Sequence, residues 1–457
     1  MLPLALIVQA QGGHVAGSDR ALDQGRTAQK FEFLRARGIE LFPQDGSGVT
    51  RAGQMVVISA AVEASVPDVV AAQHLGARIV TRAELLADLF NAAPLPIGIA
   101  GTSGKSTTTG MVGWILNTTG RHPTVMNGAV MKNFITPSVP IASAVVGEGD
   151  CFVSEVDESD GSIALYRPQL AVVTNIALDH KSLDELRALF AAFVAGSDIA
   201  VLNLDNVETA VLASHLPPHK ARTFSLNNAG ARFFGTGMDS LPDGVRFELR
   251  DAQTGVNTQV KLRIPGIHNV QNALAAIAAA CACDVPLREA ASALEGFLGL
   301  RRRYETVGTT RGITVIDDFA HNPDKIAATL STARQFPGRL LLLFQPHGFG
   351  PLRLMKNGLI EAFVTGMRAD DMLVMPDPLY YGGTTERSVM SKDIVDGVAA
   401  HGLIARAIAS RDECGHLLAD EARSGDRIII MGARDDTLAT FASGILATIA
   451  AGSDTGS

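Results

Sequence analysis

Residues 101–110 read GTSGKSTTTG, and the rest of the chain is organised around them. An apolar run, Leu95-Pro96-Ile97-Gly98-Ile99-Ala100, comes before; Met111 to Leu116 follows with helical spacing. That is strand, glycine turn, helix. Such a turn points backbone N–H groups at a phosphate, and the helix N-terminus adds a favourable dipole. Gly101, Thr102, Ser103 and Gly104 form the turn, and Thr107 lies in the first helical turn behind it. Lys105 reaches the β- and γ-phosphates of a nucleoside triphosphate, and the Ser106 hydroxyl sits on Mg²⁺. The strict pattern asks for a further Gly at position 99, which is Ile99, so the loop is the shorter G-T-x-G-K-S form. Lys105 is expected to face solvent and to contribute charge rather than packing.

The chain has 457 residues, 47% hydrophobic and 19% charged, with a net charge of -8. That length and composition predict about three domains with substantial cores. The acidic balance gives no footprint for nucleic acid. Cys151, Cys281, Cys283 and Cys414 include no C-x-x-C pair, so neither a zinc ribbon nor a disulfide framework is expected, and the reading is reduced thiols in the cytoplasm. No run of about 18 apolar residues occurs, so no membrane span is expected. The apolar opening MLPLALIVQA has no positive leading region and reads as a buried helix rather than a signal peptide.

Residues 1–93 alternate helix and strand, which predicts a mostly parallel, Rossmann-like sheet. Helices are expected at 27–37 and 67–75, and strands at 14–19, 39–42, 55–59 and 78–80. A domain of this kind starts with a strand and a glycine-rich turn. Here the sequence opens in the helix after them, so about 15–20 residues carrying that strand are expected upstream of Met1.

Residues 94–299 form the second segment. A strand at 151–154 delivers Glu155, Asp157, Glu158 and Asp160, a carboxylate cluster that is either a metal site or a solvated acidic turn. The next, at 170–174, delivers Asn175, Asp179 and His180 where α/β sheets bind ligands. Val245–Leu249 and Val260–Ile264 alternate with period two about a Gln-Thr-Gly turn, which predicts an antiparallel hairpin insert. Asn269 and Asn272 open an Ala-rich helix, where they read a base or ribose, or Asn269 simply caps the helix. Residues 300–457 predict a second open α/β domain, with strands at 313–316, 340–344, 372–375 and 427–431.

Taken together, GTSGKSTTT, SEVDESD, TNIALDH, PGIHNVQNALAA, GLRRRYE and DDFAHNP follow in the order and spacing of the Mur ligases. The resemblance covers nearly the whole chain. It is to the branch that joins L-alanine, or in cell-wall recycling a tripeptide, to UDP-N-acetylmuramate. It implies three domains: an N-terminal UDP-sugar domain at 1–93, a central ATPase at 94–299, and a C-terminal acceptor domain at 300–457. It implies ATP and Mg²⁺, and an acyl phosphate on the muramyl carboxylate that the incoming amine attacks. Lys105 and Ser106 then hold the phosphates and one Mg²⁺, and Glu155 and His180 occupy metal-contacting positions. Asn269 and Asn272 match the part of the motif near adenine. Asp317 or Asp318 meets the ATP ribose, and Arg302 and His321 sit where the second and third domains face each other.

Three departures from the family pattern stand out. Ser103 replaces a common His. The family's arginine-bearing acceptor stretch is His347-Gly348-Phe349-Gly350-Pro351-Leu352-Arg353, which leaves Arg353 or Lys356 to hold the acceptor carboxylate. The leading strand of the first domain is missing, which bears on UDP binding. The helix at 182–195 has no Lys, so no carbamylated lysine is expected there. Two alternatives to alanine addition stay open: tripeptide recycling, toward which DDFAHNP leans, and a non-catalytic nucleotide-binding protein.

Overall fold

The structure, a computed structural model, describes residues 1–59, 62–178, 181–241, 243–379, 387–433, 435 and 437–452. The chain forms two compact units, Met1–Gly299 and Leu300–Ser457.

The apolar opening is a helix, Leu2–Ala10, with Leu4, Leu6 and Ile7 buried. Strand Ala16–Ser18 pairs in parallel with Glu40–Phe42, and Met55–Ile58 pairs in parallel with Arg78–Thr81. The pairs are separate two-stranded sheets, and a cavity of about 870 Å³ is lined by residues of both, among them Ala16, Ser18, Val57 and Ile58. The parallel alternation is thus present, in two halves rather than as one continuous sheet. Helix Arg82–Asn91, absent from the sequence reading, joins this region to the next. Its start was legible, since Thr81 and Glu84 form a capping box. Its Phe90 is fully buried, with Phe152 and Tyr166 edge-on at ring distances of 5.8 and 5.2 Å. Each such pair adds about 0.5–1.5 kcal/mol beyond the area it buries.

The central sheet has ten strands. Its middle runs Ile199–Asn203, Leu170–Val173, Leu95–Ala100, Cys151–Glu155, Thr124–Met126, all parallel. These strands read as unbroken apolar runs because both faces are covered; Leu170–Val173 is buried at every position. The expected hairpin exists as Gly244–Asp251 against Asn257–Leu262. It is no detached insert: Phe233–Leu241 joins it antiparallel, and through Ala221–Ser225 it continues the central sheet to its edge.

The second unit is a six-stranded sheet in the order Glu305–Thr310, Ile313–Asp318, Arg427–Gly432, Leu340–Gln345, Met372–Met375, Ile404–Ala407. All pairs are parallel except the first. The two edge strands escaped the sequence reading. Glu305–Thr310 is mostly half-buried, Ile404–Ala407 is largely exposed, and neither carries a buried apolar run. Among the described residues no helix is long and apolar enough to cross a membrane.

Candidate active site

Leu95–Ala100 lies between Leu170–Val173 and Cys151–Glu155, and all three are parallel. Their carboxyl ends therefore open on one side, where open α/β sheets bind ligands. The middle strand delivers the glycine loop, one neighbour delivers Thr174 and Asn175, and the other delivers Glu155 to Asp160.

Two glycines set the loop's path, Gly101 at φ 133° and Gly104 at φ 86°. These are conformations L-residues rarely adopt. Space is short as well: a Cβ on Gly101 would strike Thr174 Oγ1, and one on Gly104 would strike Asn272 Oδ1. The loop is gripped from the neighbouring strand end. Asn175 Oδ1 accepts from Ser103 N at 3.0 Å, and Asn175 Nδ2 donates to Ser103 O at 2.9 Å. Thr174 Oγ1 donates to the same carbonyl at 2.6 Å. Thr102 N donates to Asn175 O, and its hydroxyl bonds with Ala177. Helix Lys105–Thr118 then starts at Gly104, with Ser106 and Thr107 buried in its first turn. An α-helix leaves its first N–H groups without intrahelical partners, and here they lie at the loop.

Ser106 and Glu155 are brought together. Ser106 Oγ donates to Glu155 Oε2 at 2.8 Å, and the same oxygen accepts from Gly128 N at 3.0 Å. Asn127 Nδ2 holds the Ser106 carbonyl at 3.0 Å. A hydroxyl and a carboxylate side by side are hard oxygen donors of the kind Mg²⁺ takes alongside water and phosphate oxygens. Asp179 and His180 lie outside the described residues.

Lys105 does not face solvent as expected. Its side chain is 15% exposed, and Nζ donates to Glu158 Oε2 and to Gly101 O, both at 2.8 Å. Glu158 is itself buried. Burial pushes its carboxyl above the usual range, against the pull of Lys105. For Asp157, burial works upward too, but the Ser159 N–H and the Lys105 charge outweigh it and hold the group low. Within the acidic cluster Glu158 is therefore not solvated, whereas Asp160 is exposed. Sequence reasoning marked Glu158 as one carboxylate among several but could not name its partner, nor the Thr174 and Asn175 grip.

Asn269 and Asn272 are buried and linked. Asn269 Nδ2 donates to Pro265 O at 2.7 Å, and Asn272 Nδ2 donates to Asn269 Oδ1 at 3.3 Å. Thr108 Oγ1 donates to Asn272 Oδ1 at 3.3 Å, so the amides run from the start of helix Ile267–Ala282 to the back of the loop.

In the second unit, Arg302 has φ 57° and is buried. Its guanidinium donates to Asp435 O at 2.9 Å and Gly432 O at 2.8 Å and lies 3.4 Å from Asp317. Burial pushes the Asp317 carboxyl up to about 6, although Arg302 pulls it down. Asp318 accepts from Tyr304 N at 3.0 Å and from the Thr329 hydroxyl. His321 Nδ1 lies 2.8 Å from Phe319 O, with its ring edge-on to Phe319. Lys356 faces Asp393 at 3.5 Å, and Arg353 is exposed on helix Phe349–Gly366. All four cysteines are free, and burial pushes each thiol up to about 12, so none is an activated nucleophile.

Known proteins match nearly the whole chain. Residues 1–93 match the Mur ligase family catalytic domain, 99–280 the Mur ligase middle domain, and 302–434 the Mur ligase glutamate ligase domain. The UDP-N-acetylmuramate–L-alanine ligase of Allorhizobium ampelinum is 33% identical over 459 residues, covering 96% of this chain and 92% of the relative. That of Cereibacter sphaeroides is 34% identical over 444 residues, covering 95% and 91%. Among solved structures, the UDP-N-acetylmuramate–alanine ligase of Thermotoga maritima superposes with a TM-score of 0.80 at 24% identity, covering 98% of this chain and 96% of that one. A murein peptide ligase from Psychrobacter arcticus superposes with a TM-score of 0.71 at 23% identity, covering 99% and 96%. With three consecutive domain matches and full-length relatives at a third identity, the chain belongs to the Mur ligase family.

Proposed function

We propose that this protein is an ATP-dependent ligase that joins L-alanine to the carboxylate of UDP-N-acetylmuramate. The observation that carries the reading is the convergence of Lys105, Ser106 and Glu155 at adjacent strand ends. It occurs in a chain aligned over 96% of its length with a UDP-N-acetylmuramate–L-alanine ligase. The tripeptide and non-catalytic alternatives have no comparable support.

The muramyl carboxylate takes the γ-phosphoryl group of ATP, giving an acyl phosphate and ADP. The amine then displaces phosphate, forming the amide and losing a proton. Carboxylate and triphosphate repel each other, so catalysis rests mainly on charge neutralisation and positioning. The loop amides and the helix start bind the phosphates, and Lys105 adds a cation. Ser106 and Glu155 would hold Mg²⁺, with His180 as a further ligand by family resemblance. Bound there, Mg²⁺ supplies charge neutralisation on the phosphate oxygens.

We assign residues 1–93 to the UDP-sugar, 94–299 to ATP and 300–457 to the amino acid, with the reaction in the cytoplasm. For the amino-acid carboxylate we take Arg353, exposed on helix Phe349–Gly366, with Lys356, 3.5 Å from Asp393, as the alternative. The test is phosphate release from MgATP with UDP-N-acetylmuramate and each candidate amine. Release only with L-alanine, and a KM for L-alanine that Arg353→Ala raises far more than that for ATP, is the expected result. Release with a tripeptide but not alanine would sink the assignment.

A further inference from the structure

We infer that Glu158 is a built-in counter-ion that nucleotide must displace from Lys105, so that it weakens nucleotide affinity. This rests on the reading of residues 101–106 as the phosphate site.

Three observations carry it. Lys105 Nζ donates to Glu158 Oε2 and Gly101 O at 2.8 Å each, so its ammonium is held by protein groups. The carboxylate side chain is 4% exposed, so it is shielded from water. Burial acts to raise the Glu158 carboxyl, with Asp157 adding in the same direction, while Lys105 is the cation that opposes them. Arg82 acts on the neighbouring Asp157.

An incoming phosphate competes with Glu158 for one ammonium. When Lys105 turns to the phosphate, Glu158 stays behind as a buried carboxylate near Asp157, and the phosphate brings more negative charge beside it. Removing one partner from a buried pair is costly because the other charge is left uncompensated. That cost is set against every nucleotide-binding event. A carboxamide of the same shape carries a smaller cost: it can still accept from Lys105, and without it loses a neutral hydrogen bond rather than a charge partner.

The test is calorimetric binding of MgADP to the full chain and to Glu158→Gln at pH 8. Glu158→Gln is expected to bind about tenfold more tightly, which corresponds to ~1.4 kcal/mol. A group that merely props the loop would give weaker binding when changed, never tighter. Should the amide variant fail to fold, Glu158→Met, uncharged and of similar length, takes its place with the same expectation. Unchanged or weaker binding by a variant that melts cooperatively would overturn the counter-ion role. No MgADP binding by the wild-type chain would instead overturn the phosphate-site reading beneath it.

Discussion

Ser106 Oγ donates to Glu155 Oε2 at 2.8 Å across 49 residues of sequence, joining the phosphate loop to the end of the neighbouring strand. The contact places a hydroxyl and a carboxylate together at the loop. The first expected consequence concerns Mg²⁺. Glu155→Gln keeps the size and the bond to Gly128 N but loses the charge. Its phosphate release should fall at least 100-fold at low Mg²⁺ and recover in part as Mg²⁺ is raised. A wild-type Mg²⁺ titration in that variant would contradict the pairing.

Lys105→Ala should abolish turnover and also destabilise the protein, because it strands Glu158. The pair is mostly buried, so a loss of about 3–5 kcal/mol is expected. The double variant Lys105→Ala/Glu158→Gln should regain most of the melting temperature while staying inactive. Equal melting temperatures for wild type and Lys105→Ala would show that the ion pair carries no stability.

Gly104→Ala meets two obstacles, a left-handed φ of 86° and Asn272 Oδ1. The backbone alone costs about 1–2 kcal/mol. Adding Asn272→Gly removes the collision but not the backbone cost, so it should restore MgADP binding only in part. Full restoration would mean that the φ requirement is absent.

The Asp317 carboxyl is raised by burial to about 6, against an ordinary value of 3.8. A raised folded-state value means that the neutral form is favoured in the fold. The resulting stability is fully present below about pH 4 and is lost as pH rises through about 6. Asp317→Asn, which is always neutral, should flatten the dependence of melting temperature on pH between about 4 and 7. An unchanged slope in that window would show that Asp317 does not titrate there.

Sequence by itself determined the strand–loop–helix unit, the carboxylate-bearing strand end and the order of family motifs. It also pointed to the parallel strands at the middle of the central and C-terminal sheets. The reason is local: unbroken apolar runs, glycine turns and helix caps act within a few residues of one another, and strands such as Leu170–Val173 show their burial in their own composition. Only the tertiary structure decided what the polar groups do with each other. Lys105 finds Glu158 over 53 residues, Thr108 finds Asn272 over 164, and Ser103 finds Asn175 over 72. The central hairpin joins a sheet instead of standing apart, and the first region divides into two strand pairs. Such outcomes depend on which distant segments share a neighbourhood and on the need of each buried polar group for a partner. No periodicity along one segment encodes that choice.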